Sequence, residues 1–458
     1  MFSTVAQAPG LTTGARMIEN RLHPSMQPTP QLSTIRPTRI RHVVLWLTVA
    51  AYMITYMDRV VMSNAAPTIR QEFGFDLKTW GWIMASFQLG YSLFQIPGGW
   101  LGDRVGPRRA LTWIVTWWSL FTSLTAAGWN AASMIVIRFL FGVGEAGAFP
   151  IATRSLSRWM LPSERGFAQG VTHAGSRLGG AITPWIVVAI TLAWGWRAAF
   201  IAFGFLGMAW AAVWFWYYRD TPDEHKSVNA GERELIHQSL GGARPRTNRS
   251  VPWRRILSHP TLWILSLMYF CYAYCISLYL YWYPTYLNDH RGFDLKAMGF
   301  YAMLPLLAGT GGDFLGGVWT DWWARRTGNL TAARRGVAVS GFLIAVAATV
   351  PATFAQDPVQ SVWLTCIAVF ALELTVGVSW AVPLDIGGDY AGSVSAVMNT
   401  CGNIGGTIST STAAYLVAFR GWEAPFLMSC LMSAMAAALF LKIDATRRIF
   451  AGERVEAR

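Results

Sequence analysis

Three observations predict an all-α integral membrane protein with twelve transmembrane helices in two pseudo-symmetric six-helix bundles. Only 13% of the 458 residues are charged and 53% are hydrophobic, whereas soluble domains carry about 25% charge. The apolar residues gather into twelve runs, each near the ~20 residues that a bilayer crossing needs. A polar signature at the end of the second run recurs at the end of the eighth. The runs lack the strict alternation of lipid-facing strands, so each reads as a helix.

The runs fall at 43–69, 80–102, 110–128, 131–155, 166–193 and 196–218, then at 261–288, 295–319, 334–352, 359–383, 391–419 and 422–443. Residues 1–41 are rich in Pro, Ser, Thr and Gln and lack the apolar core of a signal peptide. They read as a disordered tail. A first bundle at 42–218 and a second at 259–444 are joined by a polar linker at 219–258, read as a tether, and 445–458 form a closing tail.

The net charge of +13 raises the question of nucleic acid, and its distribution answers it. With the amino terminus placed in the cytoplasm, 28 of the 37 Lys and Arg fall in the tails and cytoplasmic loops. Six fall outside, and three (Arg59, Arg138, Arg177) lie within spans. That bias is the positive-inside rule, and it predicts both termini in the cytoplasm. The basic balance is topology, and no nucleic-acid partner is expected.

In chain order, span 1 carries Tyr56, Asp58 and Arg59. A charge at membrane depth costs ~2.5–3.5 kcal/mol even on lenient scales, so an adjacent acid and base there point to a site for a charged substrate or a proton. After span 2 stands Gly98-Gly99-Trp100-Leu101-Gly102-Asp103-Arg104-Val105-Gly106-Pro107-Arg108-Arg109. Span 4 places Arg138 and Glu145 seven residues apart, two turns along one helix face. Its Gly142-Val143-Gly144-Glu145-Ala146-Gly147 is formally a GxGxxG, but it follows no strand. Small residues that let helices pack closely explain it better. Span 5 holds His173, Ser176 and Arg177, and span 7 holds Tyr279-Leu280-Tyr281-Trp282-Tyr283-Pro284, whose aromatics read mostly as interfacial anchors. After span 8, Gly316-Gly317-Val318-Trp319-Thr320-Asp321 repeats the first signature and supports a six-plus-six duplication. Glu373 and Asp385 are acids in or beside span 10; Asp385 is placed at the cytoplasmic mouth, and Glu373 has no partner that the sequence identifies.

The signature after span 2 resembles that of the major facilitator superfamily, and the second copy is a degraded version of it. The Asp58-Arg59 motif and the span 4 run from Arg138 to Pro150 resemble its anion:cation symporter branch, which includes bacterial sugar-acid transporters and animal vesicular glutamate and sialic-acid carriers. The resemblance covers the whole transmembrane part and implies the major facilitator fold. It implies a gating role, without substrate contact, for Asp103, Arg104, Arg108 and Asp321. It implies substrate contacts at Tyr56, Tyr91 and Ser176, and more loosely at Ser379, Trp380 and Asn399. The first external loop is short, unlike that of the animal relatives, which points to a bacterial inner membrane.

The residues support the same expectation. Arg59 has a fork suited to a carboxylate and is the expected substrate clamp. Asp58 and Glu145 are the expected proton-coupling acids, because burial and a nearby Arg act on a carboxyl in opposite directions and a moving cavity changes their balance. Arg138 has two readings, a member of the site or a structural partner of Glu145 or Asp58. Arg177 likewise either binds a second part of the substrate or pairs with Glu145. The expected function is a proton-coupled importer of an organic anion, working by alternating access as a monomer in the bilayer. The alternatives are an exporter or exchanger, or a transporter-like anion sensor. No enzyme, cofactor or metal is expected: the spans hold no nucleophile–base pair, and Cys271 and Cys275, one turn apart, have no His or carboxylate beside them.

Overall fold

The computed structural model describes residues 36–161, 164–240, 252–387, 390–447 and 449. The expected disordered tail therefore lies outside the described residues up to residue 35, as does most of the closing tail. Among the described residues the chain is helical and has no strand. The first half comprises α1 (Ile40–Asn64), α2 (Ala66–Phe73), α3 (Leu77–Val105), α4 (Pro107–Thr125), α5 (Ala131–Glu145), α6 (Ala148–Trp159), α7 (Arg165–Trp194) and α8 (Trp196–Tyr217). The linker forms α9 (Ala230–Leu240) and α10 (Trp253–Leu257). The second half comprises α11 (Pro260–Tyr281), α12 (Tyr283–Asp289), α13 (Leu295–Thr327), α14 (Leu330–Phe354), α15 (Pro358–Gly387), α16 (Ala391–Arg420) and α17 (Glu423–Phe440). Eight helical stretches are long and apolar enough to cross a bilayer, with α5 and α6 counted as one.

Three of the runs read as continuous are broken. Run 1 divides at Ala65, with Pro67 in the first turn of α2, and run 7 divides at Trp282, with Pro284 in the first turn of α12. Proline has no N–H to donate and suits a first turn, so both breaks fall where its chemistry puts them. Run 4 divides after Glu145, where α5 ends.

Packing repeats between the halves. In the first, α3 lies on α5, α1 on α7 and α4 on α8; in the second, α13 lies on α15, α11 on α16 and α14 on α17. The halves meet where α7 packs on α13 and α3 on α16. Glycine permits these approaches: a Cβ on Gly142 would sit 2.2 Å from the Phe87 carbonyl oxygen, and one on Gly312 would sit 2.2 Å from that of Phe370. The GxGxxG stretch is thus a packing surface, as small residues in lipid usually are.

The two ends of the molecule differ. At the end away from the chain termini, α2 and α1 pack on α12, and Arg70 donates to Asp289 Oδ2 at 2.5 Å across the halves. At the end carrying the termini, no comparable packing joins α5 or α6 to α15 among the described residues. Among the described residues the halves are therefore joined by an ion pair at the far end.

The linker does more than tether. Glu232 of α9 is fully buried and accepts from the backbone N–H groups of Ile40 and Arg41 at 3.1 and 3.2 Å, capping α1. These are first-turn donors that have no partner within the helix. Thr38 Oγ1 donates to the same carboxylate at 2.5 Å, and Arg41 spans from Glu232 to Glu164 with bonds of 3.0–3.2 Å. Residues 36–41, assigned to a disordered tail from composition, are therefore held in place. Ile449 of the closing tail is likewise buried, and its N–H donates to Ile386 at 2.9 Å.

Candidate functional site

Neighbouring residues on a helix diverge by about 100°, so Asp58 and Arg59 cannot face one point. Arg59 turns toward the space between the halves. Its Nε donates to Glu145 Oε1, at the last residue of α5, where the helix's C-terminal carbonyls also favour a cation. Aromatic rings surround the guanidinium: its Cζ lies 4.5 Å from the Tyr91 ring centroid, 5.1 Å from Tyr56, and 5.6 Å from both Phe87 and Phe149. Such cation–π contacts are worth ~2 kcal/mol or more when desolvated. The Arg59 side chain keeps 12% of its exposure while Glu145 keeps none. The cation therefore reaches the cavity and its carboxylate lies behind it.

Asp58 points the other way, into the first half. It is fully buried; Trp118 is its hydrogen-bonding neighbour, and Glu145 and Arg138 are the charged groups that act on it. Arg138 is itself buried, with its guanidinium 4.5 Å from the Phe141 ring and 5.1 Å from Phe87, and it forms no ion pair among the described residues. Of the two expected proton-coupling acids, Glu145 reaches the cavity cation and Asp58 packs inside the bundle, with Glu145 and Arg138 as its charged neighbours. Glu145 pairs with Arg59, and Arg138 balances the charge of both Glu145 and Asp58 inside the bundle.

Arg177 does not pair with Glu145, one of the two readings its sequence position allowed. Its Nη2 lies 2.9 Å from Glu373 Oε2 and its Nε lies 3.7 Å from Asp313 Oδ2, both in the second half. Tyr272 donates to Glu373 Oε1 at 3.1 Å, and the Tyr56 ring lies 5.8 Å from the Arg177 Cζ. Trp380 Nε1 donates to Tyr269 Oη at 2.9 Å, and Tyr269 stacks on Tyr272, so Trp380 joins the cluster through two tyrosines. Asp313 and Tyr272 were missed by sequence reasoning. Asp313 had the same signal as Asp58, an acid inside an apolar run.

Two expected hydroxyl contacts are already committed. Ser176 donates to the His173 carbonyl at 2.7 Å and Ser379 to that of Thr375 at 2.7 Å, each within its own helix and each buried. Asn399 is half-buried on α16, one turn before Asn403, which donates to Gln95 of the first half at 3.2 Å. His173 is exposed within the cavity wall, its ring against Phe149 and Tyr52. The span 7 aromatics are not interfacial anchors: Tyr279, Tyr281, Trp282 and Tyr283 are all buried. Tyr279 bonds Thr349 and Trp282 donates to the Thr410 carbonyl, so their polar tips find partners inside the protein.

The signature residues latch helix ends within each half. Arg108 donates to the Phe215 carbonyl at 2.8 and 3.0 Å while its own N–H bonds Asp220. Arg104 lies over the Trp100 ring. In the second half Arg334 lies 3.3 Å from Asp321 and 3.2 Å from Asp385. The side chain of Asp103 lies outside the described residues. A hollow of about 520 Å³ at the far end, beside Arg70 and Asp289, holds none of the expected binding residues.

Comparison with known proteins follows the same line. A probable sulfoacetate transporter, SauU, of Cupriavidus necator is 41% identical over 392 residues, covering 85% of this chain and 91% of the relative. The hexuronate transporter of Bacillus subtilis is 30% identical, covering 82% of this chain and 87% of its own. A crystal structure of a bacterial homologue of the human lysosomal transporter Spinster, in an inward-facing and occupied conformation, superposes with a TM-score of 0.71 at 19% identity, over 87% of this chain and 96% of that one. Residues 48–410 match the Major Facilitator Superfamily. The chain is a transport protein, not an enzyme, and it belongs to the Major Facilitator Superfamily.

Proposed function

We propose that the protein is a proton-coupled symporter that imports a small organic anion across a bacterial inner membrane, working as a monomer with both termini in the cytoplasm. The observation that carries this reading is the Arg59–Glu145 pair, a caged guanidinium reachable from the cavity with a dry carboxylate behind it. A substrate carboxylate competes with Glu145 for the same fork. Glu145 left buried without its cation is costly in the charged form, so it takes a proton as substrate binds. Substrate and proton are then bound together and released together. Asp58 and Arg138 stand behind this exchange as its charge balance, and Tyr56 and Tyr91 form the wall of the seat. Asp103, Arg104, Arg108 and Asp321 hold the helix ends that move.

The names of the relatives support a small acid, and sulfoacetate is the first to try. In proteoliposomes, labelled sulfoacetate should accumulate when the outside is acidified, and Glu145→Gln should weaken the effect of the gradient. Uptake that ignores the gradient in the wild type would leave the exchanger reading in its place. Binding without uptake would leave the sensor reading.

A further inference from the structure

The transport reading uses one of the two arginines in the cavity wall and leaves the other unexplained. Arg177 retains 20% side-chain exposure, as does Asp313, while Glu373 is nearly dry. The two guanidiniums flank one ring, with Cζ atoms 5.1 Å (Arg59) and 5.8 Å (Arg177) from the Tyr56 centroid. Each is held by a resident carboxylate, Glu145 for Arg59 and Glu373 for Arg177. Beside Arg177 a small, partly open hollow of about 20 Å³, bordered by Tyr56, Leu280, Leu306 and Glu373, has room for about one water. A further acceptor oxygen fits in that space, beside the already paired Arg177 cation.

We propose that Arg177 is a second anion seat, so that the cavity selects a short dianion whose two acid groups replace Glu145 on Arg59 and Glu373 on Arg177. The proposal rests on the transport reading above and names the substrate class for the same site. Asp313, on the Nε edge of Arg177, stays in place while the Nη2 edge is given to the substrate. The charged and titratable groups facing Glu373 are Arg177 from α7, Asp313 from α13, Tyr269 and Tyr272 from α11, and Tyr56 from α1. Arg177 is the sole cation among them, so Glu373 stripped of it takes a proton from water, forming one O–H bond. Glu145 does the same. Two protons then accompany one dianion, and the cycle moves no net charge.

The test uses the full-length protein in proteoliposomes with a trapped pH dye. Two protons per sulfoacetate are expected in the wild type, without a transport current, and one per sulfoacetate in Glu373→Gln. In thermal-shift titrations Arg177→Gln should weaken sulfoacetate binding tenfold or more while leaving binding of acetate, which has one acid group, unchanged. A proton count of two in Glu373→Gln, or wild-type sulfoacetate affinity in Arg177→Gln, overturns the second seat. If Arg177→Gln does not yield folded protein, Glu373→Gln, which keeps Arg177, decides through the proton count. Sulfoacetate uptake with no proton movement in the wild type is a different failure, that of the symport reading itself.

Discussion

Arg59 and Arg177 meet their carboxylates in ways that differ in one respect. Arg59 and Glu145 come from α1 and α5, within the first half, whereas Arg177 of α7 reaches Glu373 and Asp313 of α15 and α13, in the second. The same contrast holds at the ends of the molecule. Arg41 is tied to Glu164 and Glu232 around the first half, and Arg70 is tied to Asp289 across the halves. A pair inside one rigid unit can respond to ligand and proton but does not sense the rocking of the halves. A pair between units is strained or broken by that motion, and so carries its state. The Arg59–Glu145 pair can therefore respond to ligand without motion of the halves, whereas the Arg177–Glu373 pair ties ligand to that motion.

The hardest blow to this contrast is Arg59→Ala. Uptake should fall by more than a hundredfold, and the lone buried Glu145 should cost ~3–5 kcal/mol of stability. Adding Glu145→Gln should restore the melting temperature but not the uptake; a double variant that transports would break the assignment. Glu145→Gln alone should lower the proton count from two to one per substrate and weaken the stimulation by an inward proton gradient, while substrate exchange persists, as measured by counterflow.

A cross-half pair should behave otherwise. Asp289→Asn should leave binding intact and shift the population toward an open far end. Partly exposed pairs are worth up to ~1 kcal/mol, and one such kcal is a factor of about five in population. Distance distributions between spin labels on α2 and α12 would report it, and an unchanged distribution would remove Arg70–Asp289 from the gate. The smallest effect concerns Glu164, whose carboxyl is held below the ordinary carboxylate range by hydrogen bonds from Arg41. A depressed acid stabilises the fold above its unfolded pKa of ~4.3, and that contribution is lost as pH falls through its folded value. Thermal melts below about pH 4 should therefore drop more steeply in the wild type than in Glu164→Gln.

The architecture was largely legible because it follows from bulk quantities. Apolar run length, the repeated Gly–Asp–Arg signature and the distribution of basic residues survive small errors of register. Even the breaks at Ala65 and Trp282 stand next to prolines that announce them. The site was legible only in part. Asp58 and Arg59 could be recognised as costly, yet sequence does not tell which of two adjacent side chains meets the cavity. Ser176 and Ser379 sit at plausible positions, but their hydroxyls are bonded to carbonyls of their own helices. Glu373 lacked a visible partner because its cation is in the other half. No local pattern carries that relation.

Glu232 looked like any solvated acid in a polar linker, and its burial against the start of α1 has a consequence for how the chain is made. Arg41 and Glu232 are separated by 191 residues, and all six long helical segments of the first half lie between them. The cap on the first helix thus closes only after the entire first half has been synthesised. Until then the leading helix enters the bilayer with its first N–H groups uncapped. That contact therefore ties the start of the first bundle to the chain that follows its end, and it can form no earlier than the completion of that bundle.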